Sequence, residues 1–269
     1  MGATAISVTT GLAEKLVNHW RTVLPGMQVD HEPYDHTYFE GFFPEDVYGR
    51  ILQSFPAPEN YQPLNKKRYV RAGGESTRDI MALQEEGIAH LDEELRTFWG
   101  ELGEALGCDT FKRLVFDVLK RDVALRLGIK EEEAADAKAY VSTLLIRDTE
   151  EYKIKPHPDG FPRLVTMMLY LPEDASRDDL GTSVYVKNPV YMRLIGKKFR
   201  EVKRFPFRPN SAAAFAVNDL PHRKSLHGRE LIKSMTGARN VMIVSWFSEL
   251  PEGEKSKKLQ AEPVHHRIG

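Results

Sequence analysis

The chain has 269 residues, with 41% hydrophobic and 29% charged, so it can build a sizeable core and has the composition of an ordinary globular protein. A formal net charge of −1 supplies no broad basic field and disfavours nucleic acid as a partner. Cys108 is the single cysteine, which excludes an intrachain disulfide and a thiolate metal cluster; any metal site must use His, Asp and Glu. Met1 to Thr10 lacks the pattern of a signal peptide, and no apolar run approaches the roughly 18 residues that span a bilayer. The expectation is a soluble, cytoplasmic protein with no membrane partner.

The first half reads as mainly helical. Leu12, Leu16, Val17, Trp20 and Val23 recur at helical spacing within Gly11 to Leu24. Pro44 opens a second helix, Glu45 to Phe55, where the missing N–H of proline costs nothing. A loop rich in Pro and Asn, Pro56 to Asn65, leads to a predicted strand over Lys67 to Arg71. Two longer amphipathic helices are predicted over Gly87 to Leu106 and Thr110 to Leu127. The acidic run Glu131-Glu132-Glu133 suits the positive end of a short helix, and equally a solvated face.

From Ala139 the texture changes. Tyr140–Arg147, Tyr152–His157, Arg163–Leu171, Thr182–Val186 and Arg239–Phe247 are short β-branched or aromatic runs separated by turn residues. Many short strands at this spacing suggest a sandwich or barrel, of which a jelly roll is one solution. The chain is read as one domain: helical support over 1–138, a strand-rich core over 139–249, and a charged tail over 250–269.

Two His-x-Asp triplets occur, His90-Leu91-Asp92 and His157-Pro158-Asp159. With nine histidines, such a triplet alone says little. Geometry separates them. His90 lies in a predicted helix, where positions two apart diverge, and is read as a surface or packing residue. His157 and Asp159 end a predicted strand, where positions two apart share a face and can grip one ion. A second histidine would complete a facial triad suited to Fe(II), and His222 and His227 both lie downstream.

These pieces, taken in order, resemble the 2-oxoglutarate/iron(II) dioxygenases, especially their prolyl-hydroxylase-like branch. The matching segments are His157-Pro158-Asp159, Leu164 to Pro172, Gly181 to Tyr185, Pro209 to Val217, Ser225-Leu226-His227-Gly228 and Arg239 to Phe247. They cover about residues 139–249. The resemblance implies an α+β protein with a double-stranded β-helix (jelly-roll) core, buttressed by helices from the N-terminal half. It implies Fe(II) held by His157, Asp159 and His227, with 2-oxoglutarate and O2 as cosubstrates. Arg239, twelve residues after His227, matches the basic residue that pairs with the distal carboxylate of 2-oxoglutarate. Tyr170 matches a position where a phenol often bonds the same carboxylate; its plainer reading is a core tyrosine. Arg147, Leu145 and Ser245 are further candidates for the cosubstrate pocket. His227 is preferred to His222 because Ser225 and Gly228 flank it as they flank the distal ligand in many relatives, and because its interval to Arg239 fits.

The resemblance further implies hydroxylation, or a related desaturation or ring closure, of a small molecule or natural-product intermediate, with release of succinate and CO2. Members that halogenate typically lack the carboxylate found here as Asp159. Hydroxylation of a protein side chain, a non-catalytic metal-binding β-helix module and a zinc hydrolase with the same ligands are the alternatives. Residues 187–208 depart from the family pattern and carry Lys187, Arg193, Lys197, Lys198, Arg200, Lys203, Arg204 and Arg208. This stretch reads as a solvated helix, as a lid over an anionic substrate, or as a partner-binding surface. Oligomeric state is not readable.

Overall fold

The computed structural model describes residues 11–71, 73–233, 235 and 237–249. The expectations for Met1 to Thr10 and for the charged tail lie outside the described residues. In chain order the first half contains α1 (Leu12–Val23), β1 (His36–Glu40), α2 (Glu45–Gln53), β2 (Gln62–Pro63) and β3 (Arg78–Ala82). Then come α3 (Glu85–Ile88), α4 (Glu93–Gly107), α5 (Asp109–Val118) and α6 (Lys120–Leu127). The second half contains β4 (Tyr140–Asp148), β5 (Ile154–His157), β6 (Arg163–Tyr170), β7 (Ser183–Lys187) and α7 (Val190–Leu194). It closes with β8 (Phe199–Arg204), β9 (Ser211–Ala216), β10 (His227–Arg229) and β11 (Arg239–Phe247). No helix among the described residues is long and apolar enough to cross a membrane.

The strands form two antiparallel sheets. The larger has the order β1-β9-β6-β11-β4-β3-β2, the smaller β5-β10-β7-β8. From β4 onward the chain passes back and forth between the two sheets. Strand periodicity explains the long apolar runs at the centre of the larger sheet. Val165, Met167 and Leu169 of β6 face a core shared with Trp20, Phe98, Trp99, Phe111 and Phe116 from the helices. Met168 and Tyr170, on the opposite face, join Val184, Phe205 and Phe207 from the side of the smaller sheet. A strand covered on both faces is apolar along most of its length, which is why Leu164–Tyr170 of β6, Thr166 excepted, does not alternate.

Several sequence-based expectations change. Lys67 to Arg71 is not a strand. Lys67–Tyr69 is a 3-10 turn, because the Tyr69 N–H bonds locally to the Lys66 carbonyl at 2.7 Å. The helix expected over Gly87 to Leu106 is broken: the Asp92 carboxylate accepts the Leu95 N–H at 2.9 Å and caps a new helix, α4. The helix expected over Thr110 to Leu127 divides at Leu119 into α5 and α6. The first half also contributes β1, β2 and β3 to the larger sheet, so it is more than helical support. Residues 187–208 are neither one helix nor wholly solvated, since β8 pairs with β7 and only Val190–Leu194 is helical.

A candidate metal centre and an arginine-lined cavity

Strands β5 and β10 lie side by side with His157 directly opposite His227. Gly228 makes this possible. A Cβ at that position would sit 2.7 Å from the Ile154 carbonyl oxygen, so any larger residue would push β10 off β5. The ring centroids of the two histidines are 4.5 Å apart.

The Nδ1 of His157 lies 3.0 Å from the Lys155 carbonyl oxygen, and the Nδ1 of His227 lies 3.0 Å from the Ser225 carbonyl oxygen. A carbonyl only accepts, so each ring carries a proton on Nδ1 and turns the lone pair of Nε2 outward. Both Nε2 atoms face Asp159, at 3.9 Å from Oδ1 for His157 and 3.7 Å from Oδ2 for His227. One donor atom from each of the three residues falls within 4.8 Å of the others. Neighbouring ligands on one ion, with bonds of roughly 2.1 Å, are about 3 Å apart, so small side-chain rotations close the set. Two imidazoles and one carboxylate on one side of an ion suit Fe(II) and leave positions for exogenous ligands.

Protonation favours the same use. Burial pushes His157 down to about 4, with the neighbouring His227 acting in the same direction, so His157 is neutral at pH 7. Burial alone would raise Asp159. Arg163, at 2.8 Å, the ring of His227 and the Thr166 hydroxyl, donating at 2.7 Å, outweigh it and hold the carboxyl below the usual range. One ligand is a ready lone pair, another a ready anion.

A cavity of about 200 Å³ between the sheets contains these three side chains in its wall. Asp159 is tied to Thr166, whereas Arg239 stacks 5.5 Å from the ring of Tyr170, four residues further along β6. At about 3.3 Å per residue that separation is roughly 13 Å. Arg239 is buried; its Nε donates to the Leu180 carbonyl at 2.6 Å and its Nη1 to Asp148 at 2.8 Å. Asp148, wholly buried, also takes both arms of Arg78, at 2.6 and 2.9 Å. Arg229 is a third buried guanidinium in the same wall.

The structure thus brings His157, Asp159, His227 and Arg239 to one cavity. Tyr170 lies behind the wall: its ring packs 5.3 Å from Phe207 and its hydroxyl accepts the Thr182 N–H at 3.1 Å, while Met168 and Thr182 line the cavity there. Ser245 lines the cavity, but Leu145 faces the helix-side core, and Arg147 pairs with Asp79 at 3.6 Å. His222 is exposed, and His90 bonds the Asn60 carbonyl at 3.0 Å, far in role from any ligand set. Sequence reasoning missed Arg163, Thr166, Arg78, Asp148 and Arg229. Only Arg229 carried a direct signal, two residues beyond His227 on the same strand face.

No protein-family model matches the chain, and no curated protein matches it in sequence. Solved structures do. The non-heme alpha-ketoglutarate-dependent epimerase SnoN from nogalamycin biosynthesis is 11% identical, with 95% of this chain and 91% of that chain covered and a TM-score of 0.51. This chain has the fold of the non-heme 2-oxoglutarate-dependent oxygenases. A second SnoN structure, in complex with Fe3+, alpha-ketoglutarate and nogalamycin RO, gives 10% identity, coverage of 95% and 92%, and a TM-score of 0.50. A prolyl hydroxylase from Trichoplax adhaerens, in complex with a hypoxia-inducible-factor peptide, is 13% identical over 93% of both chains with a TM-score of 0.49.

Proposed function

We propose that this chain is an Fe(II)- and 2-oxoglutarate-dependent oxygenase with a double-stranded β-helix (jelly-roll) core, hydroxylating a small-molecule or natural-product substrate. The observation that carries the reading is the convergence of the His157 and His227 Nε2 atoms on the Asp159 carboxylate, with both Nδ1 positions fixed by backbone carbonyls. When bound, the iron and 2-oxoglutarate supply the oxidising power: O2 and 2-oxoglutarate give succinate and CO2, and the second oxygen atom enters a substrate C–H bond as a hydroxyl.

The chain's own residues bind and orient. His157, Asp159 and His227 hold the metal, and the carbonyls of Lys155 and Ser225 fix the two rings in the ligating tautomer. Arg163 and Thr166 fix the Asp159 carboxylate, and keep it ionised before metal arrives. Arg239 offers its remaining donors to the distal carboxylate of 2-oxoglutarate. Tyr170, whose hydroxyl already accepts from Thr182, still has its own proton to donate. The intersheet wall, including Met168, Val241 and Ile243, keeps much of the cavity apolar and limits water near the metal. The retained carboxylate at Asp159 favours hydroxylation over halogenation. SnoN, described as acting in nogalamycin biosynthesis, supports a natural product as the substrate class.

The zinc-hydrolase alternative gives the buried arginines no task. The two readings part in one assay: anaerobically prepared protein receives Fe(II) or Zn(II), then 2-oxoglutarate and O2, and succinate is measured. Succinate with iron alone, abolished in His227→Ala, is the expected result. Turnover that is equal with zinc, or that survives in His227→Ala, would sink the proposal.

A further inference from the structure

Arg229 is only 5% exposed, yet its Nε and Nη1 atoms have no hydrogen-bond partner among the described residues. The acids around it are committed elsewhere: Asp179 to Arg177 at 3.1 Å, Glu230 to Arg204 at 2.9 Å, and Asp148 to Arg78 and Arg239. A buried guanidinium without a partner is costly, and such groups are found paired unless a ligand supplies the pair. His227 and Arg229 are two apart on β10 and share a face, so Arg229 lines the cavity that holds the candidate ligands, and it also borders a second cavity beside β8.

The charges around the cavity point the same way. Arg78, Arg229 and Arg239 are three buried cations in its wall, and Asp148 pairs with two of them, Arg78 and Arg239. Arg239 has already given its Nε and one Nη1 bond to Leu180 and Asp148. Arg229 adds two further uncommitted donor atoms, Nε and Nη1, to the same wall. An incoming carboxylate would relieve both the missing hydrogen bonds and the crowding of cations.

Resting on the cosubstrate reading above, we propose that Arg229 is a second anchor for the distal carboxylate of the 2-oxo acid and makes the site select a dicarboxylate over a monocarboxylate. Two guanidinium groups then share one carboxylate, Arg229 presenting its fork while Arg239 stays braced by Asp148.

The test uses anaerobic, Fe(II)-loaded protein and isothermal titration calorimetry with two ligands. One is 2-oxoglutarate; the other is 2-oxobutyrate, which has the same chelating end and no distal carboxylate. Wild type is expected to prefer 2-oxoglutarate. Arg229→Met should weaken 2-oxoglutarate about tenfold or more while leaving 2-oxobutyrate within about twofold, and Arg229→Lys should recover part of the loss. Unchanged 2-oxoglutarate affinity in Arg229→Met, or equal weakening of both ligands in both variants, overturns the proposal. An unchanged cosubstrate affinity with a raised KM for the prime substrate would also overturn it, by assigning Arg229 to that substrate. Wild-type protein that binds iron but neither ligand would instead remove the cosubstrate reading itself.

Discussion

Asp148 and Arg239 face each other in register across β4 and β11, and the Asp148 carboxylate accepts from the Arg239 Nη1 at 2.8 Å. The same carboxylate is gripped by Arg78 from β3, so one buried anion joins three strands of the larger sheet at the arginine end of the cavity. Removing that anion leaves two buried cations uncompensated. Asp148→Asn is expected to lower stability by about 3–5 kcal/mol, since breaking a buried pair costs more than never having built it. Urea unfolding of the variant against wild type measures this; a loss under about 1 kcal/mol would show that water already compensates the arginines.

Arg239→Ala is expected to weaken 2-oxoglutarate by about 2–5 kcal/mol, because a partly buried carboxylate loses a charged partner. Metal affinity should persist, since the three proposed metal ligands do not touch Arg239, and Asp148 keeps Arg78. Calorimetric titration of iron and then cosubstrate separates the two effects. An unaltered cosubstrate affinity would mean that Arg229 alone holds the carboxylate.

The two downstream histidines differ sharply in setting. His227 is buried opposite His157, and His222 is exposed on the preceding loop. His227→Ala should lose iron and turnover together, whereas His222→Ala should keep its iron. Iron content after desalting, by atomic emission, decides; loss of iron in His222→Ala alone would move the ligand.

Gly228 tests whether close approach of β10 to β5 sets the metal centre. A methyl group there meets the Ile154 carbonyl oxygen at 2.7 Å, so Gly228→Ala must separate the strands or shift His227. The expected cost is about 1–3 kcal/mol of stability, typical of overpacking, with weaker iron binding. A variant with unchanged iron affinity and unfolding midpoint would show that the strands give way without disturbing the ring.

The basic residues of 187–208 fall into two groups. Lys203 pairs with Asp30, Arg204 with Glu201 and Glu230, and Arg208 with Asp178 and Glu40, whereas Lys187, Arg193, Lys197, Lys198 and Arg200 are exposed. As a substrate lid, the second group would steer an anionic substrate. Neutralising Lys197, Lys198 and Arg200 together should then raise the substrate KM and flatten its salt dependence, with uncoupled 2-oxoglutarate turnover unchanged. Identical substrate kinetics would return these residues to solvent.

Much of the candidate site was legible because most of its residues lie on strands whose texture is local. β11 was predicted over Arg239–Phe247, as observed, since a run buried on both faces stands out from its polar flanks. His157 and Asp159 were distinguishable from His90 and Asp92 by the strand ending beneath them. His90 nevertheless lies between α3 and α4 and not within one continuous helix, because Asp92 caps α4. What stayed hidden was long-range or short. β10 has three residues, too few to show a period, and β1 and β3 lie among helices while pairing with strands far along the chain. The Asp148 pairs with Arg78 and Arg239 span 70 and 91 residues, and no local pattern announces them. Arg229 was readable from its position two beyond His227, but its unpaired burial was not.

On the proposed function, one iron sits among His157, Asp159 and His227, with 2-oxoglutarate reaching from it to the arginines. Crystals grown anaerobically with Fe(II) and 2-oxoglutarate, measured on both sides of the iron absorption edge, test it most directly. The expected result is one anomalous peak within about 2.3 Å of His157 Nε2, His227 Nε2 and an Asp159 oxygen, with the distal carboxylate in contact with Arg229 and Arg239. An iron peak elsewhere, or iron at the triad with the distal carboxylate pointing away from both arginines, would contradict it.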